Sequence, residues 1–199
     1  MKFKNYMVLL LSLFLASCAN TKVIDHWLDA EHSKAYSHPM IIGISDSQQT
    51  RRIFEKYFVA ELKKLNITAT PSYELISSKQ KMDRETVINA IQQRDDIDSV
   101  IVTYLVSSEQ NVQYHESPLS HGYSGDIESN RMSDTLVSTR GRARNAEVIT
   151  LKTDLYDRQS KSLVWTTQTR TVAPESIDAI ITDVTALLIE HLLRDGVLK

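Results

Sequence analysis

The sequence is poor in cysteine, with a single thiol, Cys18, among 199 residues. One thiol cannot form a disulfide within the chain, so the hydrophobic core has to stabilise the fold without a covalent cross-link. A free thiol would also be open to mispairing in an oxidising compartment. The position of this cysteine, directly after an apolar run, therefore calls for an explanation.

Glycine is scarce as well, with five residues in the chain, and no phosphate-binding loop of the form G-x-x-x-x-G-K-[ST] or G-x-G-x-x-G is present. The nucleophile motif G-x-S-x-G is absent, because Gly122-Tyr123-Ser124-Gly125 misses its spacing by one residue. The neighbouring carboxylates Asp95, Asp96 and Asp98 lie beside a predicted helix end, where solvated charge explains them. These absences predict a protein that is not an enzyme and holds no cofactor beyond a covalent lipid.

The chain has no excess of positive charge, since 23 Lys and Arg face 25 Asp and Glu. A nucleic-acid partner requires a basic face, so the sequence does not predict one. Three basic residues do recur at alternate positions, Arg140, Arg142 and Arg144. On a strand they would share a face and form a patch for an anionic partner. The alternative is a solvated outer strand whose charges discourage edge pairing.

The histidines are spaced in a way that does not suit a metal site. His26, His32 and His38 lie six residues apart, as do His115 and His121. Zinc is held by closer pairs that share a helical turn, together with further ligands. We therefore expect solvated loop histidines and no metal. His191, on the last predicted helix, is expected to border the core.

Long apolar runs are also missing, except for residues 6–15 (YMVLLLSLFL), which follow Lys2 and Lys4. About twenty apolar residues are needed to span a bilayer, so this shorter run is typical of a secretory signal. Leu15-Ala16-Ser17-Cys18 resembles the bacterial lipobox. That resemblance implies cleavage between Ser17 and Cys18, and diacylglycerol and N-acyl lipid on Cys18. The alternatives are an unlipidated signal with an incidental cysteine, or a short buried helix.

The predicted organisation is a signal peptide (1–17), a lipidated N-terminus and tether (18–39) and one α/β domain (40–199). Because Ala19 stands where an inner-membrane retention signal would usually be Asp, the resemblance implies a lipid anchor in the outer membrane, on its periplasmic face. Within the domain, the composition of residues 115–135 predicts a long polar loop. Loops of this length are usually functional or disordered.

Hydrophobic patterning predicts an α/β (α+β) domain with the element order β-α-β-α-β-β-β-α. Three helices should pack on a mixed sheet of about five strands, parallel in the first half and closed by an antiparallel edge hairpin. Residues 99–106 are apolar at both alternations and predict a central strand. Trp165 alternates with Leu163 and is assigned to the core. Helix starts are expected at Asp46, Ser47 or Thr50, at Asp83 and after Pro174.

Three stretches, RRIFEKYFVAELKKLNITATPSYELI, DSVIVTYLV and LKTDLYDRQSKSLVW, together resemble uncharacterised proteobacterial lipoproteins. The element order is similar to the domain shared by the TolB N-terminal region, CsgG, LpoB and PelC. This resemblance implies an envelope protein that acts by protein contact, and it supplies no catalytic motif. Residues 117–135 are too polar for a membrane-spanning hairpin of the CsgG kind, so pore formation is not expected.

The sequence thus predicts a lipid-anchored periplasmic lipoprotein acting as a non-enzymatic accessory or interaction module, with an envelope protein or a second copy as its partner. Two alternatives stay open: a domain that binds a small ligand or glycan, and a ring-forming secretion or export subunit. A concave apolar pocket with convergent polar groups would favour a ligand. An exposed apolar or charged patch would favour a protein partner.

Overall fold

The computed structural model describes residues 21–113 and 144–199. Their strands are β1 (Thr21–Leu28), β2 (Pro39–Ile44), β3 (Thr70–Pro71), β4 (Ser99–Gln113), β5 (Arg144–Asp157) and β6 (Leu163–Val172). Their helices are α1 (Gln48–Lys64), α2 (Arg84–Gln92) and α3 (Ile177–Arg194), with a 3₁₀ turn at Ser72–Glu74. None of the helices in these two ranges combines the length and apolar composition needed to cross a membrane.

The strands form one six-stranded sheet in the order β1-β6-β5-β4-β2-β3. β2 pairs in parallel with both β3 and β4, whereas β4, β5, β6 and β1 are antiparallel neighbours. The predicted class, a mixed α/β sheet with three helices, is therefore confirmed. The sheet has one strand more than expected, and β3 is short, with only Thr70–Pro71.

The extra strand corrects the prediction of a tether over residues 18–39. Thr21–Leu28 is the edge strand β1, paired antiparallel with β6, so the predicted β5–β6 hairpin is not at an edge. The register shifts between Val23 and Asp25. A bulge of this kind breaks the period of two by which a strand is detected in sequence, which is why the segment reads as an irregular polar stretch.

The main core lies between the sheet and the two longer helices. Its fully buried side chains come from α1, α3 and the sheet face beneath them, and include Phe58, Leu62, Leu188, Leu192, Ile101, Leu155 and Trp165. The burial predicted for Trp165 is confirmed, since none of its surface is exposed. A smaller core on the other sheet face joins Met40, Ile42 and Val100 to Ile91 of α2. Because Ile41 belongs to the main core and its neighbours to the smaller one, β2 is covered on both faces.

The helix starts follow the sequence signals. Ser47, Asp83 and Ser176 each accept a hydrogen bond from the backbone N–H three residues later, at 3.2, 3.0 and 3.1 Å. Such caps satisfy donors that have no partner inside the helix. Beyond α1, Asn66 adopts a left-handed conformation with φ of 62°, which asparagine tolerates better than most residues.

Asp157, at the end of β5, organises the turn to β6. One carboxylate oxygen accepts hydrogen bonds from the backbone N–H groups of Gln159 and Ser160, each at 2.8 Å. The other accepts Lys34 Nζ at 2.9 Å and the Tyr36 hydroxyl at 3.0 Å. Burial alone would raise the pKa of Asp157, but the hydrogen bonds from Ser160, Lys34 and Tyr36 outweigh it and hold the pKa well below its usual range. The ionised carboxylate therefore stabilises the folded state.

Asp157→Asn is expected to lower the free energy of unfolding at pH 7 by about 1.5–3 kcal/mol, a usual range for hydrogen bonds to a charged group. A carboxylate whose folded pKa is depressed stabilises the protein above its unfolded pKa, about 3.9, and that contribution is lost as the pH falls through the folded pKa. Urea unfolding of both proteins between pH 7 and about pH 3 checks this, because the difference should narrow below about pH 4. A constant difference across the range would contradict the assignment.

Candidate binding cleft

A cleft of about 1180 Å³ opens at the carboxyl end of β2, beside the first half of β4. Ile42 and Ile44 of β2 and Val102 and Leu105 of β4 contribute to its lining. β4 runs on beyond the last residue paired with β2, since Ile44 lies opposite Tyr104. The cleft therefore lies where the sheet narrows and the β4–β5 pair continues.

The walls of the cleft come from all three helices. α1 contributes Phe54, α2 contributes Val87 and Ile91, and α3 contributes Ile177 and Ile181. The lining is therefore mostly aliphatic and aromatic, as in pockets that bind apolar groups.

Gly43 is required where α1 crosses β2. A Cβ atom at this position would lie 2.8 Å from Cδ1 of Phe54, which is closer than real contacts allow. The glycine therefore lets the Phe54 ring pack against the strand and form one wall of the cleft.

The mouth of the cleft exposes large aliphatic side chains. Ile44 is 46% exposed, Leu105 is 54% exposed and Ile177 is 59% exposed, and all three line the cleft. We call these three residues the apolar rim. Leu105 and the adjacent Val106 are exposed, which corrects part of the prediction for residues 99–106, because a central strand is expected to be covered on both faces.

A buried ion pair supports the α1 side of the cleft. Glu55 is fully buried, and its carboxylate accepts Nε of Arg51 at 2.9 Å and the Ser72 hydroxyl at 2.6 Å. It also accepts the backbone N–H groups of Gly43 at 3.1 Å and Tyr73 at 3.0 Å. This single carboxylate therefore joins β2, α1 and the turn after β3.

A second buried carboxylate, Asp154, lies on the sheet face opposite α1 and α3. It accepts hydrogen bonds from Tyr104 at 3.2 Å, Tyr156 at 3.4 Å and Thr166 at 2.5 Å. Burial, followed by the charge of Asp154, raises the pKa of both tyrosines, so both phenols stay protonated as donors. Both tyrosines also line the cleft and provide its polar side.

The structure describes only some of the residues that the sequence analysis named as candidates. Ser17, Cys18, Arg140, Arg142 and the polar loop 115–135 lie outside the described residues. Arg144 begins β5, paired with Gln113 of β4. The predicted anionic-partner patch and the predicted lipid anchor therefore stay predictions.

The structure brings together three residues that spacing did not connect. His26 of β1 lies beside His191 and Asp195 at the end of α3, with its Nε2 atom 3.2 Å from Oδ2 of Asp195. One possible metal-ligand atom from each residue lies within 4.8 Å of the other two. The histidine spacing predicts a solvated loop for His26, and this is wrong, because His26 lies on β1, whose bulge hides the strand in the sequence. His191 borders the core, as expected.

Neither the family models nor the curated proteins compared with this sequence give a match. Among solved structures, the chain is similar to the PelC dodecamer from Paraburkholderia phytofirmans, with 8% identity, a TM-score of 0.47, and coverage of 90% of this chain and 99% of that one. Lipoprotein GNA1162 from Neisseria meningitidis is similar at 9% identity, with a TM-score of 0.43 and coverage of 79% and 99%. Likenesses at this level assign no function to this protein.

Proposed function

We propose that this protein is a lipid-anchored lipoprotein of the bacterial envelope that binds an apolar segment of a partner protein in the cleft at the carboxyl end of β2. The observation that carries this proposal is the apolar rim. Exposed aliphatic side chains beside a concave apolar lining mark interaction sites, because their surface is removed from water only when a partner covers it.

Binding, rather than catalysis, is also supported by three charged groups of the cleft lining that already have structural partners. Asp83 caps α2 through the backbone N–H of Thr86, which lowers its pKa. Arg51 is paired with Glu55, and Asp157 organises the turn to β6. Each of these groups has a structural partner that would have to be given up in a proton transfer.

The proposed anchor would hold the domain close to the membrane. Only Ala19 and Asn20 lie between Cys18 and Thr21, the first residue of β1, so Thr21 is three residues along the chain from Cys18. Three extended residues reach about 10 Å, so an acylated Cys18 would place β1 near the lipid headgroups rather than at the end of a long tether. A partner would then be met at the membrane surface.

The cleft proposal is tested by site-specific photo-crosslinking in intact cells, with the probe at Leu105. Ile177→Asp, in the apolar rim, should abolish the adduct because it places a charge against the apolar partner. Ile53→Asp is the matched control, since Ile53 is 40% exposed on α1 and does not line the cleft. Equal adduct yields from the two variants would reject the cleft as the binding site.

The anchor is tested separately with Cys18→Ser. The variant should fold normally but move from the membrane fraction to the soluble fraction, because the acyl chains supply the membrane affinity. Fractionation at high salt, with circular dichroism of the purified protein, measures both properties. A Cys18→Ser protein that stays with the membrane would refute the anchor and leave the cleft test unaffected.

A small apolar ligand is the second candidate for the cleft, favoured by its volume of about 1180 Å³. Pockets for small ligands are commonly of about 300–1,000 Å³ with a few polar groups, such as the two tyrosines here. Native mass spectrometry of the protein released gently from membranes distinguishes the two: a bound small molecule without a protein adduct at Leu105 would favour the ligand.

A further inference from the structure

The cluster of His26, His191 and Asp195 is separate from the cleft, since none of its members contributes to the cleft lining. It joins the first strand of the domain to the end of its last helix. Two imidazoles and one carboxylate are a donor set that suits zinc and similar divalent transition metals. The question is whether their arrangement suits a metal as well.

The distances are compatible with one ion. Zinc binds nitrogen and oxygen ligands at about 2.0–2.2 Å, which places neighbouring ligand atoms of a tetrahedral site about 3.3–3.5 Å apart. His26 Nε2 and Asp195 Oδ2 are 3.2 Å apart, and the candidate ligand atoms of all three residues lie within 4.8 Å of one another. Binding one ion would therefore require the more distant ligand atoms, at up to 4.8 Å, to approach each other by about 1.3 Å. His26 is at the surface, which leaves room for water as a fourth ligand.

The surroundings orient the ligands. The indole N–H of Trp165, which is fully buried, donates to Oδ2 of Asp195 at 2.9 Å and fixes the carboxylate. Residues that hydrogen-bond to a metal ligand and fix its orientation are a regular part of metal sites.

We propose that His26, His191 and Asp195 form a zinc site that fastens β1 to the end of α3. His26 contacts Asp195 directly, and the edge strand β1 is paired with β6. Zinc would join three ligands from the two ends of the domain and hold the strand that follows the proposed lipid anchor.

Arg194 opposes the ion and provides a sharp test. Its guanidinium donates to Oδ1 of Asp195 at 3.1 Å and contacts Nδ1 of His191 at 2.9 Å. The side chain is 54% exposed, so it can turn into solvent when zinc binds. Because its positive charge repels the ion, Arg194→Gln should bind zinc more tightly than the wild type, by about tenfold if roughly 1.4 kcal/mol of repulsion is removed.

The experiment titrates metal-free, detergent-solubilised mature protein with zinc in competition with a chromogenic chelator, and with cobalt(II) to observe the visible absorption of a four-coordinate ion. We expect one equivalent of zinc, and at least a tenfold weaker affinity in His26→Ala. His32→Ala is the matched control. Because His32 lies outside the cluster, its replacement should leave the zinc affinity unchanged.

Thermal unfolding provides a second readout. Zinc should raise the midpoint of the wild type and of His32→Ala, but not that of His26→Ala, since a ligand stabilises only the protein that binds it. His26 is exposed, so its replacement by Ala should leave the domain folded. Equal zinc affinities in His26→Ala and the wild type, or a weaker affinity in Arg194→Gln, would overturn the proposal.

Discussion

Glu55→Gln is expected to lower the free energy of unfolding by about 3–5 kcal/mol, the usual cost of removing one partner from a buried ion pair. The carboxylate accepts four hydrogen bonds in an environment without solvent access. The amide removes the charge that balances Arg51, whose side chain is only 4% exposed. The loss is large because a guanidinium would be left buried without a counter-charge.

Urea unfolding at neutral pH measures this effect. Glu61→Gln is the control, because Glu61 pairs with Lys64 on the exposed face of the same helix, where salt bridges contribute little. The double variant Arg51→Met/Glu55→Gln should recover part of the loss, since it removes the unbalanced charge. A Glu55→Gln protein with the midpoint of the Glu61→Gln control would show that the ion pair does not stabilise the fold.

Trp165→Ala is expected to lower the free energy of unfolding by about 3–5 kcal/mol, the range for truncating a large aromatic side chain in a core. Trp165 is fully buried between β6 and the helices, in contact with the main core, and its indole also binds Asp195. The substitution leaves both a cavity and a carboxylate without its donor. Trp165→Phe, which keeps most of the apolar contact, should lose less.

Trp27 offers the matched comparison, because it is the other tryptophan of the chain and is 46% exposed on β1. Trp27→Ala should change stability by about 0.5 kcal/mol or less, as for most surface positions. Denaturant unfolding of the three variants gives the ranking. Similar losses in Trp27→Ala and Trp165→Ala would contradict the position of Trp165 at the centre of the core.

Much of the fold could be predicted, because the signals that define it are local. The stripe of Phe54, Phe58 and Leu62 repeats with the helical period and marks the buried face of α1. Ser47 and Asp83 mark helix starts through their own side chains. The apolar run at Val100 and Ile101 required a strand covered on both faces, and in the structure both residues are buried.

β1 could not be predicted, because its partner is distant and its pattern is broken. The strand carries Lys22, Asp25 and His26, has a bulge, and is held by pairing with β6 at the other end of the sequence. A strand at the edge of a sheet needs apolar side chains on one face only. The bulge changes which alternate residues lie on that face partway along β1. For Leu105 the prediction was wrong in the opposite sense. The apolar pattern predicted a covered side chain, but Leu105 is exposed, because the pattern carries no information on where the helices pack.

The sequence by itself determined the class of the fold, the helix boundaries and the prediction of a lipid anchor at Cys18, because each depends on neighbours along the chain. The tertiary structure alone decided the cleft with its apolar rim, the burial of Glu55, and the meeting of His26 with His191 and Asp195. These features join residues from different elements, and their positions depend on strand order and helix packing. Strand order and helix packing cannot be inferred from the spacing of residues along one segment.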